Sequence, residues 1–171
     1  MVKIYRYIKL ITFVAFAILV GVFHNTLVEN LRYLISSLMM LYGLENVIIW
    51  IYKERKDFYK SIWTAFGLAE FLIGLTMIIT IDDFVIICVI WGVWSILREA
   101  IELHGIANGE LKGIPAVISG VESIVAIIFS IVLIIDPVLE HAHTHMYLLI
   151  AELIVTGIVP ALEEFFNKEH K

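Results

Sequence analysis

Residues 114–135 read IPAVISGVESIVAIIFSIVLII, and one carboxylate, Glu122, stands among their apolar side chains. The run is about as long as the ~20 residues that an α-helix needs to cross the hydrocarbon core of a bilayer. Five more apolar runs resemble it, at about 7–23, 31–52, 62–81, 84–103 and 146–166. Because they lack strict alternation and exceed the ~10 residues of a membrane strand, they predict an all-α integral membrane bundle of six transmembrane helices, a single domain over residues 1–171.

Composition supports lipid as the solvent of this chain. Hydrophobic residues make up 61% of its 171 positions, and the mean hydropathy is +0.94. Soluble domains are about half apolar, and one core of this size could not bury such an excess. The lipid bilayer is therefore the first predicted partner. The formal net charge is −5 and no basic patch with interleaved aromatics is present, so nucleic acid is excluded as a partner.

The joints between the runs are short and polar: HNTLVEN, KERKDFYKS, DD, HGIANGELKG and DPVLEHAHTH. If the N-terminus is inside, the inner segments carry all but two of the basic residues. These are Lys3, Arg6, Lys9, Lys53, Arg55, Lys56, Lys60, Lys112, Lys168 and Lys171. The outer segments carry Arg32. Because Lys and Arg stay on the cytoplasmic side, both termini are predicted to be cytoplasmic.

The first run also has a signal-peptide reading, since a basic start precedes an Ala15-Phe16-Ala17 triplet. The apolar stretch continues to Phe23, which favours a retained helix. The many isoleucines and lysines indicate a prokaryotic cell membrane. The single cysteine, Cys88, lies inside an apolar run and has no intrachain disulfide partner.

Three copies of one helical hairpin account for the six runs, at about 7–60, 61–113 and 114–171. Glu70 and Glu122 each fall eight positions after the expected helix starts, Ile62 and Ile114. The second helices of the first two copies likewise align Glu45 with Glu99. A two-span unit keeps its inside–outside sense on duplication, so these are predicted to be parallel repeats.

Three features give the chain a family resemblance: the glycine-bearing helix GLAEFLIG, the Asp136-Pro137 turn, and a W-x-x-x-R-x-x-x-E pattern formed by Trp94, Arg98 and Glu102. With three hairpins, the chain resembles the HdeD-type acid-resistance membrane proteins. The resemblance implies a multi-pass membrane protein that helps a cell to withstand envelope stress, acid in particular. The first copy departs from the pattern, because it lacks the Asp-Pro turn and a carboxylate in its first helix.

Charged residues within the predicted spans need a reason, because each costs about 2.5–3.5 kcal/mol at a helix centre. Four carboxylates, those of Glu45, Glu70, Glu99 and Glu122, lie six to nine residues from the cytoplasmic helix ends, on the order of 9–14 Å deep. Glu152 is expected in the outer part of the last helix. The four carboxylates are either a proton-accepting cluster or hydrogen-bonded links between helices. The predicted intramembrane polar network comprises Glu45, Glu70, Arg98, Glu99, Glu102 and Glu122.

Two further features of the spans concern packing. Arg98 and Glu102 are four apart and can form an ion pair, although Arg98 could instead serve Glu45 or Glu99 across helices. Gly67 and Gly74 share a helix face, which predicts close approach of two backbones.

The joint DPVLEHAHTH is predicted to face outward with an acidic and histidine-bearing surface. Its candidates for a pH response are His141, His143, His145, Asp136 and Glu140, because free histidine titrates near pH 6.5. The three alternating histidines are also a weak candidate for a metal site. The third interpretation is a plain polar loop.

No nucleotide-binding glycine loop, Walker A run or Ser-x-x-Lys motif occurs. The sequence therefore predicts a protein that is not an enzyme and has no cofactor. Three functions stay open: an HdeD-like stress protein, a small proton-linked transporter or channel, and an assembly partner. Protons, a second copy of the chain or another membrane protein are the corresponding possible partners.

Overall fold

A computed structural model describes the backbone of residues 2–49, 58–109 and 111–168, and the side chains of 10–48, 65–109 and 111–158. The described residues form seven α-helices and no strand. These are α1 (Val2–Val22), α2 (His24–Glu29), α3 (Leu31–Ile49), α4 (Phe58–Thr80), α5 (Phe84–Ala107), α6 (Ile114–Ile135) and α7 (Leu139–Lys168). The all-α prediction is confirmed for this part of the chain.

Two of the described helices are long and apolar enough to cross a bilayer, Phe84–Ala107 and Gly113–Ile135. Shorter apolar helices cover Leu10–Val22 and Ala65–Thr80. Six spans, three repeats and the orientation of the termini stay predictions. Most of the basic residues that carry the orientation prediction lie outside the described side chains.

The faces of α6 show why a helix of this sequence suits lipid. Its buried face follows spacings of three and four residues and consists of Pro115, Ser119, Ser123, Ala126, Ser130 and Leu133. Its exposed face carries Val117, Val121, Ile124, Ile128 and Ile131. Polar residues would cover the outer face of a soluble helix, whereas small residues inward and large apolar residues outward are typical of helices packed in a membrane.

Four of the five expected joints are partly helical. HNTLVEN contains α2, α4 begins at Phe58 within KERKDFYKS, α5 continues to Ala107 within HGIANGELKG, and the last helix begins at Leu139 rather than at Met146. Glu140 lies in the first turn of α7, where a negative charge is favourable. The His141 ring lies with Nδ1 2.7 Å from the backbone oxygen of Asp136. These contacts stabilise a helix start at Leu139, so that α7 includes all three histidines.

The described residues between Ala107 and α6 are irregular, and two glycines shape this part of the joint. Gly109 and Gly113 have φ angles of 75° and 67°, a region that side chains disfavour. Gly113 precedes α6, and Pro115 sits in the first turn of that helix, where a missing N–H costs nothing.

Residues 29–87 form one compact unit, in which α3 packs against α4. Glycines permit the close approach. A Cβ added to Gly67 would lie 2.6 Å from the Asn46 Cβ, and one added to Gly74 would lie 2.7 Å from the Ser36 backbone oxygen. The predicted packing role of Gly67 and Gly74 is confirmed.

The same unit is tied at the far end of α4. The Arg32 guanidinium donates to the Asp82 carboxylate and to the Ile81 backbone oxygen, at 3.5 Å. Asp83 then caps α5, because its Oδ1 accepts from the Ile86 N–H at 3.1 Å. The two-residue DD joint is therefore occupied by one ion pair and one helix cap.

Residues 1–28 and 88–171 form the other unit, in which α7 packs against α1 and α6. A Cβ on Gly157 would lie 3.3 Å from the Phe13 Cβ on α1. A Cβ on Gly92 of α5 would lie 2.9 Å from the Ser130 backbone oxygen on α6. Small residues thus bring α5, α6 and α7 of this unit close to their neighbours.

Candidate carboxylate centre

Three glutamates converge on one point in the unit formed by residues 1–28 and 88–171, and each comes from a different helix. Glu99 of α5, Glu122 of α6 and Glu152 of α7 each offer a carboxylate oxygen, and these three oxygens lie within 4.8 Å of one another. Glu99 is 2% exposed and Glu152 is 8% exposed, while Glu122 is half-buried. We call these three residues the carboxylate centre.

Helical periodicity places Glu99 and Glu152 on buried helix faces. On α7 the residues at spacings of three and four are all buried, namely Ala142, His145, Met146, Leu149, Glu152 and Leu153. On α5 the same spacing aligns Trp91, Ser95 and Glu99. Residues three and four apart share a helix face, so packing the apolar members of these faces also brings the glutamates inward.

Arg98 supplies a positive charge next to the centre. Its Nε lies 3.7 Å from the Glu152 Oε1, and its guanidinium lies 5.6 Å from the centre of the Trp94 ring. Of the predicted partners Glu102, Glu45 and Glu99, the Glu99 carboxylate lies within electrostatic reach of Arg98, and the described ion pair adds Glu152, which the sequence did not suggest. Arg98 therefore offsets part of the negative charge of the centre.

A second polar layer lies one turn closer to the α5–α6 joint. The Ser119 hydroxyl of α6 donates to the Glu102 carboxylate of α5. Beyond it, the exposed His104 ring bonds the Asn108 amide at 2.8 Å. Glu99 and Glu102, three residues apart on one face of α5, thus form a polar ladder toward the α5–α6 joint.

The opposite direction is closed by apolar side chains. Trp91, Met146 and Leu149 are buried completely or almost completely. The His145 ring meets the Trp91 ring edge-on, with centroids 4.6 Å apart. The centre therefore has polar neighbours toward the α5–α6 joint and a packed apolar layer toward the start of α7.

The other predicted carboxylates lie in the unit of residues 29–87. Glu70 is buried, and its Oε2 accepts from the Asn46 amide at 3.4 Å. That hydrogen bond links α3 to α4, which suits the interpretation of Glu70 as a link between helices. Glu45 is half-buried on α3.

Glu152 is the member of the centre that the predicted network omitted. A helix that starts at Met146 puts Glu152 within its first two turns. Because α7 begins at Leu139, Glu152 lies two turns farther from the helix start. The spacing of Glu152 after Met146 and Leu149 was the available signal, since it places all three residues on one face.

The histidines of the DPVLEHAHTH segment have three different environments. The His141 Nδ1 is 3.6 Å from an Asp136 carboxylate oxygen. His143 stacks on His24 of α2, which also stacks on Tyr147, with centroids 5.0 Å and 4.5 Å apart. His145 is 3% exposed. Among the described residues, the group of three potential metal ligands is formed by the glutamates and not by these histidines.

His145 is the histidine whose environment changes its chemistry most. Its Nδ1 is buried and has no hydrogen-bond partner among the described residues. Burial lowers the pKa of His145 from 6.5 to about 4, because desolvation disfavours the charged ring. Within the pH-responsive group that the sequence predicted, His145 is therefore neutral at pH values where a free histidine is already charged.

Comparison with protein-family models, curated proteins and solved structures gave no match.

Three carboxylates this close cannot all carry an uncompensated charge. At 4 Å, two unit charges repel by about 4 kcal/mol at an effective dielectric constant of 20. Arg98 offsets one charge of the three. The centre is therefore built to hold positive charge, either as protons on the carboxylates or as a cation between them.

Proposed function

We propose that this chain is a six-span membrane protein of acid tolerance, similar to the HdeD type, that takes up and passes protons through Glu99, Glu122 and Glu152. Its two termini would lie in the cytoplasm of a prokaryotic cell. The convergence of three carboxylates within 4.8 Å, two of them buried and one half-buried, carries this proposal. Groups this close bind protons as a set rather than singly.

The polar ladder of α5 supports a route for those protons. Glu102 stands three residues after Glu99, which is about 4.5 Å along the helix, and Ser119 donates a hydrogen bond to it. Hydrogen-bonded carboxylates and hydroxyls can exchange protons between neighbours. In the predicted orientation this ladder leads to the cytoplasmic α5–α6 joint.

The other end of the route requires a conformational change. Trp91, Met146 and Leu149 separate the centre from the start of α7. A protein that alternates between access from one side and from the other would have to open this layer. The proposed mechanism is therefore gated uptake, and not a continuous water-filled pore.

Proton flux into liposomes tests the proposal. The purified full-length chain would be reconstituted with an internal pH-sensitive dye, a pH step would be imposed, and valinomycin with K⁺ would clamp the potential. We expect flux above that of empty liposomes, and we expect Glu122→Gln and Glu152→Gln to abolish it. Glutamine preserves size and polarity but cannot exchange the proton.

The matched control is Glu140→Gln. Glu140 is an exposed carboxylate on the same helix as Glu152, so this substitution changes charge equally but leaves the centre intact. Wild-type flux in Glu140→Gln supports the assignment. A folded wild-type protein that gives no flux above empty liposomes at any imposed pH would refute the proton-passing function and return the glutamates to links between helices.

A further inference from the structure

We infer that the carboxylate centre binds a hard divalent cation, of the Mn²⁺, Mg²⁺ or Ca²⁺ class, held by Glu99, Glu122 and Glu152. This inference deepens the proposed function and rests on it for the exchange of the cation against protons. Binding of the cation is measured separately from proton flux, and its geometry, donor chemistry and charge are considered in turn.

The distances between the ligand oxygens suit a shared ion. Hard divalent cations bind oxygen at about 2.0–2.6 Å, so two oxygens on one ion can be separated by up to about 5 Å. The three oxygens of the centre lie within 4.8 Å of one another, so small side-chain shifts would let one ion reach all three. They also come from three different helices, so the ion would join α5, α6 and α7.

A buried hydroxyl provides a second and independent observation. Ser123 of α6 is 0% exposed and its hydroxyl faces the Glu99 carboxylate, yet its Oγ makes no hydrogen bond of normal geometry to any described residue. The Glu99 Oε2 is buried and unpartnered in the same sense. Buried polar atoms are normally paired, and a cation between them would satisfy both oxygens at once.

The donors select the class of ion. All four candidate ligands are oxygens, which suit hard cations, whereas thiolate and imidazole donors suit softer metals. The single cysteine, Cys88, lies eleven positions before Glu99 on α5, about 16 Å along the helix. A zinc or copper site is therefore not what this donor set provides.

The charges select a divalent ion over a monovalent one. Three ionised carboxylates carry a charge of −3, and Arg98, 3.7 Å from Glu152, brings the local sum to −2. A divalent cation makes this sum zero. Glu102 is not counted in the ligand set, because it lies a turn away and accepts from Ser119.

Competition between the cation and protons follows from the shared ligands. The cation binds carboxylates only when they are deprotonated, so its binding displaces whatever protons the centre holds. In a membrane protein of acid tolerance, this exchange would couple the movement or storage of a divalent cation to pH.

Binding of Mn²⁺ to the full-length chain in detergent micelles tests the inference. The probe is Mn²⁺ alone, and its free concentration is read from its electron paramagnetic resonance signal at neutral pH. We expect saturable binding of one Mn²⁺ per chain, competed by Ca²⁺ or Mg²⁺. We expect Glu152→Gln to weaken binding about tenfold or more, and Glu140→Gln to leave it unchanged.

Folding is checked by circular dichroism, and we expect Glu152→Gln to fold because it removes repulsion from the centre. Should it not fold, Ser123→Ala decides, since it changes the ligand set without changing charge. About tenfold weaker binding is expected there as well. Equal binding in Ser123→Ala and wild type, with Glu152→Gln unfolded, would overturn the inference.

The two proposals fail separately. Proton flux without saturable Mn²⁺ binding would refute the cation site and leave the proton route standing. Mn²⁺ binding that Glu152→Gln removes, in a protein without proton flux, would retain the site and refute the proton-passing function. Binding that is equal in wild type, Glu152→Gln and Glu140→Gln would show surface association and overturn the inference.

Discussion

Acidification should lower the free energy of unfolding, because protonation of the His145 ring opposes its burial in the folded protein. The ring is 3% exposed, lies against Trp91 and has an unpartnered Nδ1. Its pKa is lowered from 6.5 to about 4 by desolvation. The unfolded chain therefore binds a proton at a higher pH than the folded chain does.

The sign and the pH window follow from linkage. The contribution of neutral His145 is complete above about pH 6.5, falls as the pH drops toward about 4, and is constant below that value. Between about pH 7.5 and pH 5, the two pKa values correspond to a loss of about 2 kcal/mol in the free energy of unfolding.

Unfolding curves of the full-length chain in mixed micelles, titrated with denaturing detergent at both pH values, would measure this loss. Other groups also titrate in this range, so the quantity compared is the pH-dependent difference between wild type and His145→Leu. We expect His145→Leu to lack about 2 kcal/mol of the wild-type acid sensitivity. Met146→Leu, the matched change at a buried neighbour without a titratable group, should keep it. Identical acid sensitivity in wild type and His145→Leu would refute the reasoning.

Two further predictions concern the unit of residues 29–87. Gly67→Ala should lower the free energy of unfolding by about 1–3 kcal/mol through overpacking, because its Cβ would lie 2.6 Å from the Asn46 Cβ. Gly120→Ala is the control, because its Cβ would find its nearest neighbour at 3.8 Å. Equal stability of the two variants would contradict the packing argument. Arg32→Ala and Asp82→Asn should show a coupling energy of at most about 1 kcal/mol in a double-mutant cycle, because the Asp82 side chain is 85% exposed. A coupling energy well above that value would mean that lipid or another chain covers the pair.

Local patterns predicted the helices better than they predicted helix ends. The apolar run at 114–135 corresponds to α6 in full, since nothing within it competes with a helix. The apolar pattern predicts that α7 starts at Met146, seven residues after its actual start, because the polar residues Glu140, His141 and His143 are typical of a joint. Polar residues at a helix start are compatible with helix when they satisfy its first turn, as Glu140 and the contact of His141 with Asp136 do.

The candidate site was predictable in kind but not in membership. Charges inside apolar runs identified Glu99 and Glu122 as residues that need partners. Their meeting with Glu152 depends on how three helices pack, and packing is set by surfaces such as the Ser119–Ser123 face of α6, which no single run reveals. The three histidines are a second example. Their alternation in the sequence suggested one shared metal site, but in the α7 helix each ring has a different neighbour.

The energy of burial explains why these glutamates lie together. A lone carboxylate at the centre of a bilayer costs about 2.5–3.5 kcal/mol, and an average interhelical polar bond returns only about 0.6 kcal/mol. A hydrogen bond to a single glutamate can serve as a link between two helices, as at Asn46 and Glu70. Such a link needs one acceptor, so a third carboxylate placed beside two others adds electrostatic repulsion without improving the link. Three carboxylates beside one Arg98 are therefore favourable only when additional positive charge joins them, either as protons or as a cation.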